Sequence, residues 1–227
     1  MPETNPLLSP KEELQLSKLL SYLLRHGAVK EKLNISSDGF VAVNDILARP
    51  KFKNVTFEQI QYLVGHNDKK RYELVQTPTG EWLVRATQGH SLKTVKPDDM
   101  MEKITEPLDT PVIHGTTLQA WNQIKQQGIS KMDRNHIHFA IGLPDDPKVK
   151  SGIRKSSTVF IYVDVDKARQ GIVYYPQRCL KHVLNPLDGI VFYRSKNDVI
   201  LTDGINGILA PTYFQQVTDR ENNRIDL

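Results

Sequence analysis

The residues best able to do chemistry in this sequence are basic, and they come in short groups. Arg25-His26 follows a leucine-rich stretch, Asn67-Asp68-Lys69-Lys70-Arg71 precedes a strand-like run, and Arg134 stands in Asp133-Arg134-Asn135-His136-Ile137-His138-Phe139. Arginine offers a planar fork that grips phosphate oxygens in pairs, lysine adds a point charge, and histidine donates a hydrogen bond or a proton. Together such residues suit a phosphate. Each group alone has a plainer explanation. Cations near a helix C-terminus gain about 0.3–1 kcal/mol from the macrodipole, and a basic turn is ordinarily a solvated one.

His136 and His138 lie two apart and so face one side of a strand, which raises the question of a metal. Further ligands are hard to find: no HExxH occurs, Cys179 is the single cysteine, and Asp145-Asp146 sits in a proline-flanked loop. No metal is expected. A Ser-His-Asp hydrolase would lack its GxSxG elbow. Neither GxGxxG nor GxxxxGK[ST] is present, so a nucleotide would be held without a Rossmann or P-loop turn. Two glycine turns remain: His114-Gly115-Thr116, where a strand enters a helix, and Gln88-Gly89-His90-Ser91, after a hairpin. Either is a simple turn or a place where backbone approaches a ligand closely.

The elements that must position these groups are legible from periodicity and caps. Leu16, Leu19, Leu20, Leu23 and Leu24 recur on one helical face, opened by a Ser9/Glu12 capping box with Pro10 in the first turn and stopped by Gly27. Asp38-Gly39 turns into the short apolar run Phe40 to Val43, and Asn44 caps a helix that ends before Pro50. Thr56 and Gln59 open another helix with Phe57, Ile60, Leu63 and Val64 on one face. RYELVQ and EWLVRA then form a hairpin about Thr77-Pro78-Thr79-Gly80. The charged, proline-punctuated stretch from Lys93 to Pro111 reads as a boundary. Beyond it VIHGTTL enters a helix ended by Gly128, and HIHFAI, TVFIYVDV, GIVFYR and DVILT are β-rich. The expectation is an α+β chain of two lobes. Its 25% charged and 39% hydrophobic residues and its mean hydropathy of -0.43 contain no bilayer-spanning run, and the N-terminus lacks the features of a secretory signal. A soluble, intracellular protein follows. Lys and Arg exceed Asp and Glu by 30 to 26, a balance that permits a polyanionic partner.

Six stretches, LSKLLSYLLRHGAVKEKL, NDKKRYEL, ATQGHSLK, VIHGTTL, RNHIHF and KSGIRKSSTVFIYVD, resemble in order the signatures of the NAD-dependent tRNA 2′-phosphotransferases, between about Leu16 and Tyr213. The resemblance implies an N-terminal winged-helix RNA-binding lobe, residues 1–105, and a C-terminal ADP-ribosyltransferase-like NAD-binding lobe of mixed β structure, residues 106–227. It implies transfer of an internal RNA 2′-phosphate, typically one at a tRNA splice junction, to NAD. The phosphate attacks the anomeric carbon of the nicotinamide ribose and expels nicotinamide, giving RNA-phospho-ADP-ribose. The ribose 2″-hydroxyl then attacks phosphorus, releasing RNA and ADP-ribose 1″,2″-cyclic phosphate.

By position, the resemblance implies that Arg25, His26, Arg71 and Arg134 are the catalytic group and that Lys69 supports the RNA phosphate. It places His114, Gly115, Thr116, His138 and Arg154 on the NAD side, and Val199 where many protein-modifying relatives carry glutamate. The implied partners are NAD and an RNA bearing an internal 2′-phosphate, for a monomer without membrane or metal. The sequence departs from the family pattern at Phe139-Ala140 (for Leu-Ser), at Asn197-Asp198-Val199 (for Asn-Gly-Val), and in an insertion at 172–188. The insertion's Arg178, Lys181 and His182 either extend an RNA surface or are simply solvated. Two rival readings stay open: an ADP-ribosyltransferase that caps phosphorylated nucleic-acid ends by the first step alone, and a non-catalytic winged-helix nucleic-acid-binding protein.

Overall fold

A computed structural model describes residues 7–171 and 189–226. The chain divides into two compact units, Met1–Met100 and Met101–Leu227. The first opens with α1 (Pro10–Tyr22), whose capping box forms as the sequence predicts: Ser9 N–H donates to Glu12 Oε2 at 2.9 Å and Glu12 N–H to Ser9 Oγ at 3.4 Å. Leu16, Leu20, Leu23 and Leu24 are buried. The helix then widens, and Leu23–Gly27 forms a π-helical turn. Helical structure ends at Gly27, as the sequence predicts, but without a left-handed residue there. The glycine stays inside the wide turn, where a Cβ would stand 3.0 Å from the Tyr22 ring.

The chain continues through β1 (Val41–Ala42), α2 (Val43–Leu47), α3 (Phe57–Gly65), β2 (Tyr72–Gln76) and β3 (Trp82–Ala86). The Thr56/Gln59 box forms at the start of α3, but Asn44 does not cap α2. Ala42 holds the N-cap position, because Val41 and Ala42 are drawn into pairing with Val84 and Leu83 and the chain turns into helix directly from that strand. The strands form one antiparallel sheet in the order β1-β3-β2, with Tyr72 opposite Ala86 at the end of the hairpin away from its turn. The Tyr72 hydroxyl donates to the Ser17 carbonyl at 2.6 Å and lies 2.7 Å from Ser21 Oγ, tying that end of the hairpin to α1.

The second unit contains β4 (Glu102–Lys103), β5 (Ile113–Thr116), α4 (Leu118–Gln127), β6 (Ile129–Ser130), β7 (Ile137–Phe139), β8 (Val159–Val163), α5 (Val165–Arg169), β9 (Tyr193–Arg194), β10 (Ile200–Thr202), β11 (Ile208–Leu209) and β12 (Phe214–Asp219). The strands lie in three sheets, ordered β12-β8-β5, β4-β9-β10-β7 and β11-β6. Because β4 pairs with β9, the polar stretch ends inside this unit, and the division falls ahead of the 105/106 boundary read from the sequence. Trp121, Phe139, Ile161, Phe192, Ile200 and Tyr213 belong to its core. Alternation along β7 sends Ile137 and Phe139 to that core and leaves His138 on the other face, beside Leu201 of β10. The architecture is mixed α+β. The N–H groups of Gly171 and Ile190 both donate to the Ala168 carbonyl, at 3.3 and 2.9 Å. The insertion between them, with Arg178, Lys181 and His182, lies outside the described residues.

Replacing Tyr72 by Phe removes the hydroxyl tie while keeping the buried ring. The unfolding free energy in urea should fall by about 1 kcal/mol with an unchanged denaturant slope; a stability equal to wild type would show that the tie does not hold the hairpin to α1.

Candidate active site

In the first unit the basic residues are carried by elements gathered at one end of the hairpin. Arg25 is half-buried and His26 exposed on the π turn, and the segment that follows β3 packs against them. Ser91 N–H donates to the Arg25 carbonyl at 3.0 Å, and Ser91 Oγ lies 2.9 Å from His26 Nδ1. Gly89 has φ +89°, and a Cβ there would sit 3.4 to 3.5 Å from Nε, Cδ and Cζ of Arg25. The Gln88-Gly89-His90-Ser91 turn is thus the seat of the arginine. Asn67 builds the other basic group: its carbonyl accepts from Lys70 N–H at 2.8 Å and its Oδ1 from Arg71 N–H at 3.1 Å. Thr87 joins the two, donating its N–H to the Arg71 carbonyl at 2.9 Å and its hydroxyl to the Lys70 carbonyl at 3.1 Å. Lys69 and Arg71 are both half-buried on this turn.

In the second unit His114, Arg134 and His138 form one connected group. His114 Nδ1 donates to the His138 carbonyl at 3.0 Å, and an Arg134 Nη reaches His138 Nδ1 at 3.5 Å. His114 also packs edge-on against Phe139, with ring centroids 6.0 Å apart. Gly115 cannot be replaced without movement, because a Cβ would lie 2.4 Å from Ile153 Cγ1 and 2.7 Å from Ser157 Oγ. Gly152, at φ +92°, would bring a Cβ to 2.7 Å from the Phe139 carbonyl oxygen. The segment 151–157 is therefore pressed against β5 and β7, and it carries Arg154. Arg220, just after β12, fastens the same segment by donating Nε–H to the Ser157 carbonyl at 2.9 Å and an Nη–H to the Lys155 carbonyl. Nothing in the sequence pointed to Arg220, which is remote along the chain from the loop it holds. Thr116 is half-buried, and its carbonyl accepts from Thr158 N–H at 2.8 Å.

Two of the three family-pattern departures fall on backbone features. Ala140 exchanges both backbone hydrogen bonds with Ile113, at 2.8 and 2.9 Å. Asp198 adopts φ +59°, a left-handed conformation that glycine takes freely and that Asp tolerates better than most side chains. Val199 beside it is fully buried.

The charges of Arg134 and Arg154 are mutually unfavourable. Burial lowers the pKa of Arg134 even though the residue keeps an exposed surface, and the nearby Arg154 charge lowers it further. Burial lowers the pKa of His114 as well, opposed by its bond to the His138 carbonyl and reinforced by Arg154. Among the described residues neither Arg134 nor Arg154 makes an ion pair. Two cations held near each other without a carboxylate can receive an anion. His136, buried against Tyr193, is likewise kept neutral mainly by burial, with Asp203 opposing and Lys131 reinforcing. No cluster of three or more His, Cys, Asp or Glu suited to a metal occurs among the described residues, and no helix among them is long and apolar enough to cross a membrane.

Groups of arginine and histidine held in this way are chemically suited to phosphate. The chain belongs to the RNA 2′-phosphotransferase, Tpt1 / KptA family, whose model matches residues 11–204. It is 40% identical over 208 residues to tRNA 2′-phosphotransferase 1 of Danio rerio, covering 90% of this chain and 84% of that protein. It is 38% identical over 212 residues to tRNA 2′-phosphotransferase 1 of Homo sapiens, covering 91% and 77%. A Schizosaccharomyces pombe protein is 42% identical over 212 residues, covering 92% of this chain but 53% of its own length, so the chain spans about half of that relative. The family is one of enzymes.

His114 and His136 have folded pKa values below the ordinary histidine value of about 6.5. The unfolded chain therefore binds more protons in that range. The stability these residues contribute is complete above about pH 6.5 and is lost as pH falls through their lowered folded values. The thermal midpoint should be lower at pH 5.5 than at 7.5, and the drop should shrink in His136→Asn. A midpoint that rises on acidification would contradict the neutral, buried state of these rings.

Proposed function

We propose that this protein removes an internal RNA 2′-phosphate by transferring it to NAD. The first unit acts as a winged-helix RNA lobe and the second as an ADP-ribosyltransferase-like NAD lobe. The observation that carries the reading is the family match, which runs continuously through both basic groups, from residue 11 to 204. Helices followed by a hairpin, with the sheet ordered β1-β3-β2, support the winged-helix reading of the first unit. The setting is intracellular RNA processing by a monomer.

On this reading Arg25, His26, Arg71 and Arg134 are the catalytic group around the transferring phosphate, with Lys69 as a supporting cation. The nucleophile is already an anion, so no side-chain base is required to create it. The residues must instead stabilise charge on the phosphoryl oxygens, which preorganised donors do most effectively in a partly desolvated site. Arg134 keeps its charge at neutral pH in spite of its lowered pKa, because guanidinium titrates far above that range. When bound, NAD supplies the electrophilic sugar carbon. The donor set of the second unit fits such a dinucleotide: Arg134 and Arg154 suit its phosphates, and His114 accepts a ribose hydroxyl. Gly115, Thr116 and His138 complete the wall.

Incubation with NAD and an oligoribonucleotide carrying one internal 2′-phosphate should yield the 2′-hydroxyl RNA and ADP-ribose 1″,2″-cyclic phosphate. A stable ADP-ribosylated RNA without the cyclic phosphate would instead mark a capping enzyme, and the absence of any NAD-dependent product would overturn the reading. Arg71→Ala should lower kcat by about 100-fold with the KM for NAD nearly unchanged, whereas Arg154→Ala should act mainly on that KM. Equal losses in both parameters for Arg71→Ala would remove it from the phosphate side.

A further inference from the structure

We infer that Ser91 is a positioning residue for phosphate transfer, acting through His26, and that the segment Thr87–Ser91 fixes the spacing between Arg71 and the Arg25-His26 pair. The inference rests on the proposed phosphate role of those residues. Ser91 contacts both members of the pair by different groups, with its N–H on the Arg25 carbonyl at 3.0 Å and its hydroxyl 2.9 Å from His26 Nδ1. At the other end of the same segment, Thr87 bonds the Lys70 and Arg71 carbonyls. Thr87, Gln88, His90 and Leu92 are buried, so the short connection between the two anchors is packed in place. Gly89 supplies the left-handed residue that lets the Arg25 side chain lie on it. One segment therefore sets where all three side chains begin.

The hydroxyl has a property that no simple donor or acceptor has: it can take either role. It therefore bonds Nδ1 whichever form the ring takes: with the neutral ring it donates or accepts according to the tautomer, and with the protonated ring it accepts Nδ1–H. The bond holds the plane of the ring and so the direction in which its far edge faces. Without the hydroxyl that orientation is no longer fixed from Nδ1. Ser91→Ala keeps the backbone bond to Arg25, so it isolates this effect.

The test uses Ser91→Ala, Ser91→Thr, His26→Ala and the Ser91→Ala/His26→Ala double variant of the full chain. Each is assayed with NAD and the 2′-phosphorylated oligoribonucleotide, and the ring nitrogens are followed by 15N NMR. Ser91→Ala should lower kcat by about tenfold and leave the KM for NAD unchanged, while Ser91→Thr, which keeps the hydroxyl, should recover most of the turnover. The Ser91→Ala change should cost nothing further in the His26→Ala background, because a residue acting through another is non-additive with it. The Nδ1 shift of His26 should move in Ser91→Ala, where its hydroxyl partner is gone, and stay near the wild-type value in Ser91→Thr. Unchanged shifts and unchanged kcat in Ser91→Ala would overturn the inference, as would a full Ser91→Ala loss added to that of His26→Ala. Wild-type turnover by His26→Ala would sink the phosphate role of His26 itself, while the nitrogen shifts would still decide whether Ser91 holds the ring.

Discussion

An arginine neutralised by a carboxylate is not available to an anion, and the described residues include arginines of both kinds. Arg85 shows the first. Its side chain is buried, its fork closes on Glu73 at 2.6 and 2.7 Å, an Nη donates to the Asp38 carbonyl at 2.8 Å, and its guanidinium lies 4.3 Å above the Phe40 ring. Such an arginine stabilises its own lobe and offers nothing to a ligand. Arg71, Arg134 and Arg154 make no ion pair among the described residues, so they must be placed by backbone. Asn67 and Thr87 hold the main chain of Arg71. Arg134 N–H donates to the Lys131 carbonyl at 3.2 Å, and Arg154 rides on a segment fixed by Gly115, Gly152 and Arg220. The cost is visible in the lowered pKa of Arg134, where desolvation and a like charge act together.

Close packing around glycine does the placing in both units. Gly89 forms the seat of Arg25, and Gly115 admits Ile153 to the strand that bears His114. At Gly89 it is the positive φ that asks for glycine, whereas at Gly115 the place of a side chain is taken by Ile153 and Ser157. The glycine of His114-Gly115-Thr116 thus acts by allowing a neighbouring loop to approach, and the cation on that loop comes with it.

What the sequence disclosed follows from which interactions are local. Both capping boxes, the hairpin about Thr77 to Gly80 and the Leu118–Gln127 helix rest on contacts within a few residues, and all were readable. The π turn was not, because a hydrogen bond shifted from four residues to five has no compositional mark, and Leu23-Leu24 fits the leucine stripe of an α-helix equally well. Strand β12 escaped notice because its Gln215-Gln216 breaks the apolar alternation, although it pairs with β8 along its length. Of the site, residue types and order along the chain could be read. The parts supplied by distant segments, such as Arg220 on the Lys155 and Ser157 carbonyls or Ser91 on His26, could not.

The histidines show how much chemistry those distant partners decide. A neutral imidazole has one donor and one acceptor nitrogen, and the neighbour of Nδ1 chooses between them. His114 faces a carbonyl, which can only accept, so Nδ1 carries the proton and Nε2 becomes the acceptor. His138 faces a guanidinium, which can only donate, so Nδ1 accepts and Nε2 carries the proton. His26 faces a hydroxyl, which does either, so that bond is compatible with both tautomers and with the protonated ring. Burial keeps His114 neutral at physiological pH, so its Nε2 stays an acceptor. Three rings of one residue type are thereby given three different hydrogen-bonding characters by a carbonyl, a guanidinium and a hydroxyl.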